Sequence, residues 1–240
     1  MKKLFIFTAV FFLAAVAHSA PITFFGEDLG LGESTRLTSY PSANSARSNF
    51  LAPLIGVGTE DFEGLAGEDA PVTLTFPGAG DATLLGDGFV DTVLSGTNGV
   101  GRYAISGVNY WESSSSFSIE FSDPVAAFGF YGIDIGDFDG QLTLSLINSS
   151  TTTDLIIPNT INGSGGSVLY FGVIDKDNPF TELVFGNTEP GVDYFGFDDM
   201  TIGSVEQVGE LNGVVPEPAT LFLLGSGLVG LAGVRTRKKK

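Results

Sequence analysis

The residues that could do chemistry in this chain are carboxylates and aromatics. Twenty-eight Asp and Glu stand against eleven Lys and Arg. There is no Cys, and the one His, His18, falls in the N-terminal leader-like segment. The rest of the chain therefore has no residues from which to build Ser-His-Asp or Cys-His catalysis, His-ligated zinc or a thiolate metal site. No Gly-x-x-x-x-Gly-Lys-Ser/Thr loop is present to cradle a phosphate. Three kinds of oxygen chemistry remain: binding of hard cations, hydrogen bonding to hydroxyl-rich ligands, and hydrolysis by paired carboxylates.

Four constellations could carry that chemistry. Thr59-Glu60-Asp61-Phe62-Glu63 and Gly196-Phe197-Asp198-Asp199-Met200 bracket the body with acids. If the first and last strands of a sandwich lie together, Asp61 or Glu63 comes near Asp198 and Asp199. Converging carboxylates suit Ca²⁺, which takes six to eight oxygens. Solvated turn acids at the end of a sheet are the alternative. Asp198 and Asp199 point to opposite faces of a regular strand, so one of them would enter such a site. Second, Asp134-Ile-Gly-Asp137-Phe-Asp139-Gly140 is similar to the first half of an EF-hand loop. In that register Ile135 and Leu146 occupy the first and twelfth ligand positions, where carboxylates are required, so the segment reads as a turn. Third, Tyr103, Tyr110 and Trp111, flanked by Asn109 and Glu112, read either as a glycan-stacking platform or as core aromatics. Fourth, Glu112, Glu120 and Glu182 lie on or near strands, where two carboxylates about 5–10 Å apart would make a glycosidase.

These residues must be positioned by strands. Val72–Phe76, Phe117–Phe121 and Leu142–Ile147 alternate apolar with polar residues. Arg102–Ser106, Val168–Ile174, Glu182–Phe185 and Tyr194–Ile202 read as further strands. Val125–Ile133 is continuously apolar and is expected to be buried on both faces. Gly, Pro, Asn and Asp turns separate these runs. The expected fold is all-β: an antiparallel sandwich, of jelly-roll type, with an immunoglobulin-like sandwich as the other reading. Residues 21–58 read as a loosely structured lead-in, 59–210 as the sandwich domain and 211–214 as a linker.

The ends read as addresses. Lys2 and Lys3, the apolar run Leu4–Val16 and the small residues around Ser19 and Ala20 make residues 1–20 a signal peptide, cleaved after Ser19 or Ala20 by signal peptidase. At the other end, Val215-Pro216-Glu217-Pro218-Ala219-Thr220 precedes a Gly-rich apolar stretch, Leu221–Val234, and a closing Arg/Lys cluster. A basic cluster after an apolar helix stays cytoplasmic.

Residues 215–240, on those three parts in that order, resemble a PEP-CTERM sorting segment, a motif that also carries the label of an ice-binding protein C-terminal motif. The resemblance implies export across the inner membrane of a Gram-negative cell, held there by the C-terminal helix until an exosortase cuts near the motif. It also implies a place at the cell surface or outside the cell, in biofilm or exopolysaccharide. The body is similar to jelly-roll adhesion and carbohydrate-binding modules, including MAM-like domains, in its Asp-Phe-Glu and Phe-Asp-Asp brackets, but it lacks the cysteines of animal MAM domains.

Once the ends are removed the body keeps four basic residues, Arg36, Arg47, Arg102 and Lys176, against 27 acids, a net charge of −23. A phosphate backbone needs a basic footprint, so nucleic acid is excluded as a partner. The expected role is non-catalytic: an envelope or matrix protein associated with exopolysaccharide and stabilised by Ca²⁺. A carboxylate-based glycoside hydrolase and a self-associating structural protein are the alternatives.

Overall fold

The computed structural model describes residues 20–114, 116–190 and 193–211. The signal segment, the motif at 215–220 and the apolar helix after it lie outside the described residues. In chain order the elements are β1 (Ile22–Asp28), α1 (Pro41–Leu51), β2 (Gly58–Glu60), β3 (Val72–Phe76), β4 (Gly80–Leu85), β5 (Phe89–Thr92), β6 (Asn109–Ser114), β7 (Ser118–Ile133), β8 (Leu142–Ile147), β9 (Thr152–Ile156), β10 (Val168–Ile174), β11 (Phe180–Asn187) and β12 (Tyr194–Ser204). A single 3-10 turn, Val205–Gln207, follows. All the strand pairings are antiparallel.

One strand joins two layers. The first part of β7, Ser118–Phe121, pairs with β4 on one edge and β11 on the other. Its second part, Val125–Ile133, pairs with β10 and β12. Between them stands Ser122-Asp123-Pro124, where proline has no N–H to give the ladder. The hydrogen-bonded sheet therefore turns over at β7. One layer runs β3-β4-β7-β11-β8-β9. The other runs β1-β10-β7-β12-β6-β5, with β2 sharing the outer edge of β12.

The layers close on a phenylalanine-rich core. Phe128, Phe130, Phe171 and Phe197 meet Ile119, Leu144, Leu183 and Phe185. Ring centroids are 4.7 Å apart for Phe130–Phe197 and 5.6 Å for Phe130–Phe185, the second contact crossing between layers. Pairs at such spacings add to the area that they bury.

The second layer is covered on its other face too, so Val125–Ile133 is buried on both faces, as its unbroken apolar run predicts. The cover comes from residues 21–58, which corrects the reading of that segment as a loose lead-in. β1 pairs with β10 along seven residues, and α1 packs over both. The helix buries Ala43, Ala46 and Phe50, one stripe at i, i+3, i+7. Asp28, the last residue of β1, accepts hydrogen bonds from the N–H groups of Ser42 (3.3 Å) and Ala43 (3.0 Å) in its first turn. Phe50 sits in a notch that two glycines open. Gly129 and Gly172 are direct partners across β7 and β10, and a Cβ on either would stand 2.7 Å or 2.6 Å from the Phe50 ring. The second core includes Phe24, Leu37 and Phe50 beside Tyr131, Ile133 and Tyr170, so the packed unit begins at β1, not at residue 59.

The second layer has two ends. At one, Ile22, Ile174, Ala127 and Gly203 lie side by side; at the other, Asp28, Val168, Ile133 and Gly196 do. Six residue steps separate these rows, about 20 Å at the usual strand rise. Ala20 and Leu211, the two ends of the described chain, line one small cleft beside Ile22 and Ile174. This is the proximal pole; the end around Gly196 is the distal pole.

Candidate functional site

The two acidic brackets do meet. β2 pairs with β12 so that Thr59 faces Thr201, their hydroxyls 2.7 Å apart. Their carboxylates have other work. Asp198 is fully buried; its Oδ2 accepts the N–H groups of Ile105 (2.6 Å) and Ser106 (3.1 Å). Glu63 Oε1 accepts those of Val108 and Asn109, both at 2.7 Å. Residues 103–108 form no strand, against the expected strand Arg102–Ser106, so their N–H groups need side-chain acceptors. Asp199 takes a positive φ of 49° at a bulge, and the regular alternation fails there. Its Oδ1 accepts the Ser106 hydroxyl (2.6 Å), and its Oδ2 lies 3.6 Å from Arg47. Asp61 is exposed and accepts the Glu63 N–H. Glu63, Asp198 and Asp199 anchor this loop and Asp61 closes its own turn, rather than the four forming a calcium cage, and no group of three or more metal-ligating side chains forms among the described residues.

The aromatic platform is core. Tyr103, Tyr110 and Trp111 are fully buried, so no sugar ring can reach their faces. The serines after Trp111 suggest an exposed loop, but β6 runs on to Ser114 between β5 and β12. Trp111 stacks near Phe62, with centroids 6.4 Å apart, and lies flat against Gly88, where a Cβ would collide with its ring. Tyr103 donates to Gly166 O and accepts the Leu37 N–H, both at 3.1 Å. The Tyr110 hydroxyl lies 2.9 Å from both Asp91 Oδ2 and Glu112 Oε2.

The glycosidase trio does not converge. Glu120 and Glu182 are direct partners across β7 and β11, but neither side chain is buried. Glu112 is buried elsewhere, 3.1 Å from Arg102 Nε. A raised pKa in a shared cleft is the mark of such a pair, and this trio shares no cleft.

The arrangement that sequence reasoning missed lies at the distal pole. Arg102 reaches Glu112, approaches Asp134 Oδ2 at 3.4 Å, and donates to the backbone carbonyl of Tyr194 at 3.0 Å. Asp134 closes β7 with a φ of 67°, and its Oδ1 accepts the Gly166 N–H at 2.6 Å. Asp193 accepts the Gly136 N–H at 3.3 Å. Burial pushes the carboxyls of Asp134 and Asp193 up to about 7, and the nearby Asp137 charge adds to both shifts. Backbone bonds from Gly32 to Gly165, Gly101 to Glu33 and Gly163 to Gly136 lash the surrounding loops together. On this base Tyr194 is 49% exposed, with Leu29, Leu31, Val100 and Ile161 as further exposed apolar side chains of the same loops. The available sequence signal was charge economy. Arg102 is one of only four cations in the body, and three carbons of stem carry its fork to three separate stretches of chain.

No curated protein matches the chain. Among solved structures, the K2 cleaved adhesin domain of Lys-gingipain is 15% identical, over 61% of this chain and 97% of that one, with a TM-score of 0.39. TmCBM61 in complex with beta-1,4-galactotriose is 15% identical, over 60% and 94%, at 0.27. The CBM22-1–GH10 modules of the Clostridium thermocellum xylanase 10B, complexed with xylohexaose, are 16% identical, over 62% and 28%, at 0.31. Residues 214–238 match the model of the PEP-CTERM protein-sorting motif, which marks the chain as an exported protein that an exosortase sorts to the cell envelope.

Proposed function

We propose that the body is a non-catalytic glycan-binding module of the cell envelope, and that its ligand seat is the distal pole around Tyr194. The observation that carries this reading is an exposed tyrosine whose backbone Arg102 holds in place, among loops bearing both apolar side chains and carboxylates. A flat ring offers a face to a sugar, and carboxylates accept its hydroxyls. The brackets and the buried aromatics serve the fold that supports this pole.

The test is co-sedimentation of the processed chain with a panel of insoluble polysaccharides. Tyr194→Ala is expected to lower retention about tenfold, the equivalent of roughly 1.4 kcal/mol, with an unchanged melting temperature. Equal retention of variant and parent would move the seat away from this pole. New reducing ends in the supernatant would instead revive the hydrolase.

A second reading rests on β9, which among the described residues pairs only with β8 and leaves its outer edge open, with Ile156 exposed. Open edges template pairing with other chains. Concentration-dependent oligomers, with no retention by any polymer, would favour a self-associating matrix protein.

A further inference from the structure

The cleft at the proximal pole has a volume of about 120 Å³ and is lined by Ala20, Ile22, Ile174, Asp175, Lys176, Asp177 and Leu211. Two of these residues are carboxylates. Asp175 is almost fully buried, and burial pushes its carboxyl above the ordinary range. The cation next to it is turned elsewhere: Lys176 Nζ donates to Val208 O at 2.6 Å. The cleft thus holds more acid than base, in a wall that is partly apolar. Ala20 forms part of that wall, and the Ser19–Ala20 bond is one of the two at which the signal segment is expected to be cut. Two residues later the chain is committed to β1, paired along its length with β10.

We infer that this cleft receives the α-ammonium that signal-peptide removal creates on Ala20, so that maturation itself completes the fold at the proximal pole. Hydrolysis of the Ser19–Ala20 bond adds water across it. Ser19 leaves with the carboxylate, and the Ala20 nitrogen takes up a proton to become an ammonium. In the precursor the same nitrogen is a neutral amide, and the cleft gains no cation. In the processed chain the new charge stands among Asp175 and Asp177, with Lys176 on their strand connection and Glu210 beside Leu211 as the other charged groups nearby. An opposite charge within a few ångströms of a partly desolvated carboxylate favours both ionised forms. The seven-residue pairing of β1 then transmits the restraint to the edge of the second layer.

The sign of the pH dependence follows. Neighbouring carboxylates raise the folded pKa of the amine above its ordinary value of about 8. Its contribution is therefore complete below that value and disappears as pH rises through the folded pKa.

The experiment uses the processed chain, residues 20–240 in detergent, in three forms: free Ala20 amine, N-acetylated Ala20, and a form that keeps four residues of the signal segment. The free-amine form is expected to melt about 2–4 °C above the other two at pH 7, with the difference gone at pH 10. Asp175→Asn combined with Asp177→Asn should erase the difference between the free-amine and acetylated forms at pH 7. N-terminal sequencing of the exported protein should begin at Ala20. Equal melting of the three forms at pH 7 would overturn the inference, and so would a mature start elsewhere. A difference that survives the double substitution would overturn the assignment to these carboxylates.

Discussion

Phe50→Ala should cost the protein about 3–5 kcal/mol, the range for emptying a fully buried aromatic site. Phe50 comes from the segment before residue 59, and it is the wedge that joins α1 to the second layer. Its ring packs edge-on against Phe24 at 5.7 Å and tilted against Tyr170 at 5.8 Å. It rests in the notch left by Gly129 and Gly172. Because those glycines face each other across the ladder, the cavity left by losing the ring has strand backbone for its floor, which cannot move in to fill it. The reverse change probes the same contact: Gly172→Ala adds a methyl 2.6 Å from the ring and should cost about 1–3 kcal/mol by overpacking. Chemical denaturation of the two single variants and the double variant checks both effects. The double variant should lose less than the sum of the singles, because the emptied ring site makes room for the added methyl. If Phe50→Ala left the midpoint unchanged, the helical cover would be dispensable and the body would begin after residue 58.

The second large effect concerns pH. Asp134 and Asp193 each titrate near 7 in the folded protein, against an ordinary 3.8. A raised carboxyl pKa means that the folded state holds a proton that the unfolded chain has released. Stability from these groups is therefore fully present below about 4 and declines as pH rises towards 7. Taken singly, each shift corresponds to roughly 4 kcal/mol; for the pair the total is smaller than the sum, since each feels the other and Asp137. Thermal melts at constant ionic strength should show a higher melting temperature at pH 5 than at pH 8. The −23 charge of the body pushes the same way through self-repulsion. The double variant Asp134→Asn, Asp193→Asn separates the two causes, because its slope should be shallower than that of the parent by the contribution of the pair. A parent that melts higher at pH 8 than at pH 5, or a variant with the parental slope, would refute the assignment. The same titration acts on the proposed seat, because Asp134 is one of the two acids that steady Arg102 beneath Tyr194.

How far the chain could be read in advance depended on whether a feature was local. The strand Val168–Ile174 was legible to the residue because its apolar run and its turns are local signals. The continuous run Val125–Ile133 announced that both its faces are covered, but not by what. Ala43, Ala46 and Phe50 do keep helical spacing, yet two of the three are alanines, and the stripe is too slight to stand out in a Ser- and Asn-rich segment. What makes it bind is the Gly129–Gly172 pairing, a contact between residues more than forty positions apart. The aromatic cluster misled for a related reason. Serines after Trp111 look like a loop in sequence, but β5 and β12 supply partners on both edges. At Asp198 and Asp199 the reading assumed a regular strand, and the bulge brings both carboxylates to Ser106. The distal pole was hardest to see, since it gathers Glu33, Arg102, Asp134, Gly166 and Tyr194 from five separate stretches of chain.

Ala20 and Leu211, the two ends of the described residues, share one pole, and this gives the body an up and a down. Only four peptide steps separate Leu211 from Val215, so the sorting motif can stand no more than about 14 Å from the body. If the apolar stretch after the motif is held in a bilayer, as its resemblance to a sorting segment implies, the proximal pole is the end nearer the membrane and the Tyr194 pole the end away from it. Any polymer captured there would be met at the top of a small post, clear of the lipid, and an exosortase cut at its foot would free the post without severing a strand.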